Sequence, residues 1–264
     1  MLERANSETP LARQLSVGAV VDWIIHRGPV SRAAIAKTTG LSKQTVSEVV
    51  RALEIAGWVR PTGQTRGGLG RTATTYEICP DAAFVLGVDL GGTKVHGAIA
   101  NLACEVVAED SEPTDVSGGR AVVEQIATLF SCLAKRAGIE RQRVRLAAIG
   151  SPGVLDQASG AIRLAPNIPD FDSLDVIGAL RHALSTEVII ENDVNIAAIG
   201  EQWLGKARGK STFAFLALGN RAGIVGALAI AINNVHNSLF GPAGLPKALA
   251  LPAVPELRGL SLGA

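Results

Sequence analysis

The stretch VLGVDLGGTKVHGAIANL, residues 85–102, sets two apolar runs on either side of Asp89-Leu90-Gly91-Gly92-Thr93-Lys94. Two β-prone runs joined by a glycine pair predict a hairpin. Adjacent glycines, a carboxylate, a hydroxyl and a lysine also suit a phosphate group, because backbone N–H groups approach an anion closely only where no Cβ intervenes. For so short a motif an ordinary hairpin turn is the plain alternative.

Toward the C-terminus, CEVVAED (104–110) reads as a third strand after FVLGVD (84–89) and VHGAIAN (95–101). A helix over about 119–137 and a strand RLAAIG (145–150) come next. Strands in succession, then alternation with helices, indicate a mixed α/β domain.

Toward the N-terminus the pattern changes. Val17, Val20, Val21, Ile24 and Ile25 recur at helical spacing, and Gly28 stands where that helix would end. A short second helix has Ser31 as N-cap, Val30 and Ile35 as hydrophobic staple, and Gly40 as its left-handed cap. The third repeats this grammar with Ser42, then Leu41 and Val46, a buried stripe through Val49, Val50 and Leu53, and Gly57 at its end. Two helices joined at Thr39-Gly40-Leu41 read as helix-turn-helix. Its second helix offers Lys43, Gln44, Thr45, Ser47 and Arg51, with Ser42 at the start, to the edges and phosphates of a DNA groove. A small helical bundle for protein contact is the other reading. The segment RPTGQTRGGLGRTATTYEI (60–78) then reads as a wing with Arg66 and Arg71 at its tip, or as an interdomain linker.

Composition agrees with a two-part chain. With 47% hydrophobic and 19% charged residues in 264, it folds rather than staying disordered. Residues 1–80 hold ten Lys/Arg against six Asp/Glu, and the remainder fifteen against eighteen. A basic front and a mildly acidic back suit a polyanion binder joined to a domain with another task. Cys79, Cys104 and Cys132 are odd in number and widely spaced, so neither a disulfide framework nor a thiolate zinc site is signalled. No export signal or membrane span is expected, and the expected location is the cytoplasm.

GPVSRAAIAKTTGLSKQTVSEVVRALEIAGWV (28–59) closely resembles the winged-helix front end of ROK-family transcriptional regulators, a family that also contains sugar kinases. GSPGVLD (150–156), APNIPDF (165–171) and ENDVNIAAIGE (191–201) follow in the order and spacing of the kinase-like domain of that family, which has the actin-like ATPase fold. The resemblance runs over roughly residues 12–218. It implies a winged helix-turn-helix DNA-binding domain at 12–80 and an incomplete α/β, ROK sugar-kinase-like domain at 83–219. It also implies sugar contacts from Asn167, Asn192, Asp193 and Glu201, residues whose donors and acceptors suit a ring of hydroxyls. In the kinases the position of Asp193 would be the general base, and Asp89, Gly91, Gly92, Thr93 and Lys94 would serve ATP phosphates and magnesium. Read without the resemblance, Asp193 is equally a helix N-cap and Glu201 a solvated helix residue.

The resemblance fails after FAFLALG (213–219), where the family expects a second glycine-rich phosphate turn and this chain has Gly219-Asn220-Arg221-Ala222-Gly223. Neither the family's zinc-binding cysteine cluster nor its remaining nucleotide lobe follows. Residues 220–264 show no sustained period and are expected to be a divergent tail of a shortened chain. The resulting expectation is a sugar-responsive regulator, most simply a repressor, binding operator DNA as a homodimer with a sugar or sugar phosphate as effector. No metal and no certain cofactor are expected. The alternatives are an ATP- and magnesium-dependent sugar kinase with an attached winged helix, and a truncated DNA binder that senses nothing.

Overall fold

The computed structural model describes residues 11–66, 72–163, 165, 168–204, 207 and 222–240. Arg71, Asn167, the strand expected at 213–219 and residues 219–221 of the second glycine-rich turn lie outside the described residues, as does the side chain of Arg66. The chain divides into two compact units, the first running to Cys79 and the second from Pro80 through Val235.

The first unit is built from α1 (Leu11–Arg27), β1 (Val30–Ser31), α2 (Arg32–Thr39), α3 (Lys43–Ile55), β2 (Val59–Arg66) and β3 (Thr72–Ile78). The Ser31 hydroxyl accepts the Ala34 N–H and starts α2, while Gly40, at φ 73°, closes it by donating to the Ala36 carbonyl. Ser42 starts α3 in the same way by accepting the Thr45 N–H at 3.0 Å. α3 ends where the glycine suggests. Ala56 is its cap, and Gly57 then adopts φ 77° so that its N–H reaches Glu54 and that of Trp58 reaches Leu53. That pair of bonds satisfies carbonyls the helix leaves open.

Val20, Val21 and Ile24 of α1 close on Ile35 of α2, Val46, Val50 and Leu53 of α3, and Val59 and Tyr76 of the wing. β3 pairs with both β1 and β2, so the wing is tied to the start of α2. Arg32 adds a polar fastening, its guanidinium bonded to the Tyr76 hydroxyl at 2.5 Å and 3.8 Å from Glu54.

The second unit carries a five-stranded sheet of β4 (Phe84–Leu90), β5 (Lys94–Asn101), β6 (Val106–Pro113), β7 (Val144–Ser151) and β10 (Glu187–Asn192), in the order β10-β7-β4-β5-β6. β10, β7 and β4 are parallel, and β5 and β6 complete an antiparallel meander. β8 (Val154–Leu155) and β9 (Ile162–Arg163) form a separate short ribbon. One face is covered by α4 (Gly119–Ala137) and α5 (Val176–Leu184), with Phe130, Ile126 and Leu133 set against Leu86, Val88 and Ile99. Gly97 on that face makes room for Leu129, which lies 2.9 Å from where a Cβ would sit.

The other face receives α6 (Asp193–Leu204) and α7 (Ala222–Phe240). Leu228 of α7 enters the space left by Gly87 of β4, and Ile196 of α6 that left by Gly150 of β7. The divergent tail expected from residue 220 thus contains a helix that the sequence reading did not place. Residues 224–232 are all buried, so the helix is apolar around its whole circumference and presents no amphipathic period to a sequence reading. Among the described residues, no helix is long and apolar enough to cross a membrane.

Candidate functional site

Parallel sheets place loops at the carboxyl ends of their strands, which is where ligands of open α/β folds bind. Here those ends carry the sequence motifs. Asp89 of β4 lies opposite Gly150 of β7, and Ser151 of β7 opposite Asn192 of β10. Asp89, Gly150 and the start of α6 therefore share one edge and one face.

Asn192 is the bracket of this edge. Its Nδ2 donates to the Gly153 carbonyl at 2.8 Å, tying the loop after β7 to β10. Its Oδ1 accepts from Val194 at 3.1 Å and Asn195 at 3.4 Å, so Asn192 caps α6. Asp193 stands one residue further on, as the first helical residue, where the positive end of the helix favours a carboxylate. The N-cap role weighed for Asp193 falls mainly to its neighbour, although Asp193 Oδ1 also accepts the Val194 N–H at 2.8 Å. Glu191 holds the bracket from behind, accepting from the Asn192 N–H at 2.8 Å and from Asn195 Nδ2 at 3.0 Å. Gly153 is needed where it is: at φ 91°, any Cβ would lie 2.3 Å from the Arg163 carbonyl.

Removing the bracket has a calculable cost. Asn192→Ala loses a cap and a half-buried hydrogen bond, together about 2 kcal/mol. A drop of roughly 4–8 °C in the melting temperature of this unit is expected in a thermal scan.

The Asp89-to-Lys94 turn is braced by its own strand neighbours. The Gly91 N–H donates to the Lys94 carbonyl at 2.9 Å, and Thr114 reaches the Gly91 carbonyl through its hydroxyl and the Thr93 carbonyl through its N–H. Gly92 is half-buried, and Thr93 and Lys94 are exposed. Asp89, Gly91, Gly92, Thr93 and Lys94 could hold one side of a phosphate group. A bound nucleotide with magnesium would supply a transferable phosphoryl group and its charge neutralisation.

Burial raises the Asp89 carboxyl above its ordinary range; His96 opposes this, Asp193 adds to it and Lys94 opposes it. His96 faces Asp89 across the β4–β5 register and is held 2.9 Å from Glu109. A raised carboxyl favours the folded state below the unfolded value and loses that contribution as pH rises through the folded value. Asp89→Asn is therefore expected to raise the melting temperature at pH 7, with the difference vanishing as pH falls below 3.8.

Glu201 lies two turns along α6 from Asp193, about 12 Å of helix rise, and is half-buried. A cavity of about 450 Å³ opens at the start of α4, between Gly119 and Asp170. Sequence reading overlooked Gly153, Glu191 and Asn195; the glycine within GSPG and the acid and amide flanking Asn192-Asp193 were the available signals.

In the first unit, α3 exposes Lys43, Gln44 and Arg51, with Ser47 half-buried. These lie opposite Val46, Val49, Val50 and Leu53, which α3 buries. Ser42 and Thr45 are engaged with one another, their hydroxyls 2.8 Å apart, so both serve the cap before any groove.

A model of the ROK family matches residues 85–244, and one of the MarR family matches residues 14–68. The xylose repressor of Caldicellulosiruptor bescii is 28% identical over 240 residues, covering 89% of this chain and 57% of the repressor. The glucokinase of Thermotoga maritima is 32% identical over 140 residues, covering 53% of this chain and 43% of the kinase. The chain thus spans about half the length of the curated relatives it matches. Among solved structures, a ROK-family transcriptional regulator described as a homologue of the Escherichia coli MLC protein superposes with a TM-score of 0.57 at 21% identity. That superposition covers 73% of this chain and 48% of the regulator, and supports the fold.

Proposed function

The chain belongs to the ROK family, and we propose that it is a sugar-responsive, DNA-binding transcriptional regulator, most simply a repressor. The observation that carries this reading is the exposed polar stripe of α3, capped and held on a buried core, in a chain whose second unit has a kinase-like sheet edge. Such a helix enters the major groove with its N-terminal residues on base edges, while cations along it and on the wing meet phosphates. The name of the xylose repressor supports a link between sugar and repression.

The effector would lie at the carboxyl edge of β4, β7 and β10, with Asp193 accepting from sugar hydroxyls and Asn192 holding the loop beneath them. Asn167, Glu201, Arg66 and Arg71 complete the proposed sugar and DNA sets. A sugar changes DNA affinity only by binding the DNA-competent and incompetent states unequally. The operator would contain two half-sites read by a homodimer, since twofold symmetry in the protein is matched in the DNA.

Phosphate contacts can be counted through salt. Lys43→Ala and Arg51→Ala are each expected to weaken binding uniformly across sequences. Each should lower the slope of log affinity against log salt by about one. A titration of operator DNA at several salt concentrations reads both; unchanged slopes would remove α3 from the DNA.

A further inference from the structure

At the middle of the α3 stripe stands an acid. Glu48 is exposed, one turn beyond Gln44, and its Oε1 accepts from Gln44 Nε2 at 3.0 Å. Among the described residues no cation lies within ion-pair distance of Glu48, although Lys43 and Arg51 are on the same helix. A carboxylate on a surface that approaches DNA is repelled by phosphates and can be favourable only against a base donor. In the major groove the donors are cytosine N4 and adenine N6.

The hydrogen bond to Gln44 divides the labour. One of the two amide N–H groups of Gln44 goes to Glu48, leaving its carbonyl and its second N–H as an acceptor–donor edge, the complement of adenine N6 and N7. The second carboxylate oxygen of Glu48 remains as an acceptor. Adenine N6 and N7 are then matched by Gln44; for the acceptor-only carboxylate of Glu48, cytosine N4 is the better partner, because adenine sets its N7 acceptor beside N6. We propose that Gln44 and Glu48 form one reading unit that specifies an adenine and a cytosine within each operator half-site, with Glu48 as the determinant of the cytosine. This rests on the DNA-binding reading above and goes beyond it by naming the bases.

The same acid suppresses binding to the wrong DNA. Placed over guanine N7 and O6 or thymine O4, Glu48 meets acceptors and no donor, and is repelled. Unspecific duplex meets that repulsion at each register that sets guanine or thymine against Glu48.

The test is selection of binding sites from a random duplex pool by the full chain at fixed salt, with wild type, Gln44→Ala, Glu48→Ala and Glu48→Gln. Wild type is expected to enrich a half-site with a fixed adenine and a fixed cytosine. Glu48→Ala should lose roughly tenfold or more in preference at the cytosine alone. Glu48→Gln should move that position toward adenine, and both variants should bind unrelated DNA more tightly. Gln44→Ala should relax the adenine. A pair that merely stabilises the helix would shift melting temperature and leave base preferences as they were. Unchanged preferences in Glu48→Ala and Glu48→Gln would overturn the proposal while leaving DNA binding intact; a wild-type chain that enriches no sequence would overturn both.

Discussion

Gly226→Val is expected to abolish the folded state of the second unit. A Cβ at this position of α7 would lie 1.8 Å from the carbonyl oxygen and 2.6 Å from the carbonyl carbon of Ile196. Both are backbone atoms in α6, so no rotamer change relieves the overlap, and one helix must leave the other. Ile224, Val225, Leu228 and Ile232 would lose their cover with it. The expected cost exceeds about 4 kcal/mol, in the range reserved for core overpacking and its consequences. A chemical denaturation curve checks this, and a variant as stable as wild type would show that α7 does not pack on α6.

Val50→Asp should do to the first unit what Gly226→Val does to the second. Val50 is fully buried among Val46, Ile35, Val20 and Leu53. An aspartate there has no cation to pair with inside an apolar cluster, and it must either keep an unpaired charge or bind a proton at several kcal/mol of cost. The unit has a small core and little stability in reserve. Trp23 and Trp58 pack against this core, so their fluorescence should shift to that of exposed tryptophan while DNA binding falls to the level of a featureless chain. Retained DNA affinity would mean that α3 is not the element that docks.

The winged helix was legible because its signals are local. Ser31, Ser42 and Gly40 each act on atoms within four residues, and the alternation of buried valines repeats within one helix. The sheet was legible for the same reason, its strands being apolar runs with glycine turns between them. α7 was not, because a helix buried on every side has no polar face, and its polar Asn234 bonds within the helix to the Ile230 carbonyl.

At the candidate sugar edge, residue types could be read but not their duties. The bond from Asn192 to Gly153 joins positions far apart in sequence, and no period records it. Its consequence is that much of the Asn192 side chain is committed to structure, leaving Asp193 as the freer partner for a ligand. On α3, an exposed acid carries no local signal of a place in a DNA groove, because phosphates repel it; only a base donor such as cytosine N4 calls for an acceptor.

The most direct measurement is a titration of the purified chain against the DNA upstream of its own gene, at fixed salt, with and without a panel of sugars. Fixed salt matters because phosphate contacts make affinity steeply dependent on ionic strength. Saturable binding that unrelated DNA does not compete away, with a midpoint moved by one sugar, is the predicted result. Equal affinity for unrelated DNA, or specific binding indifferent to every sugar, would contradict it.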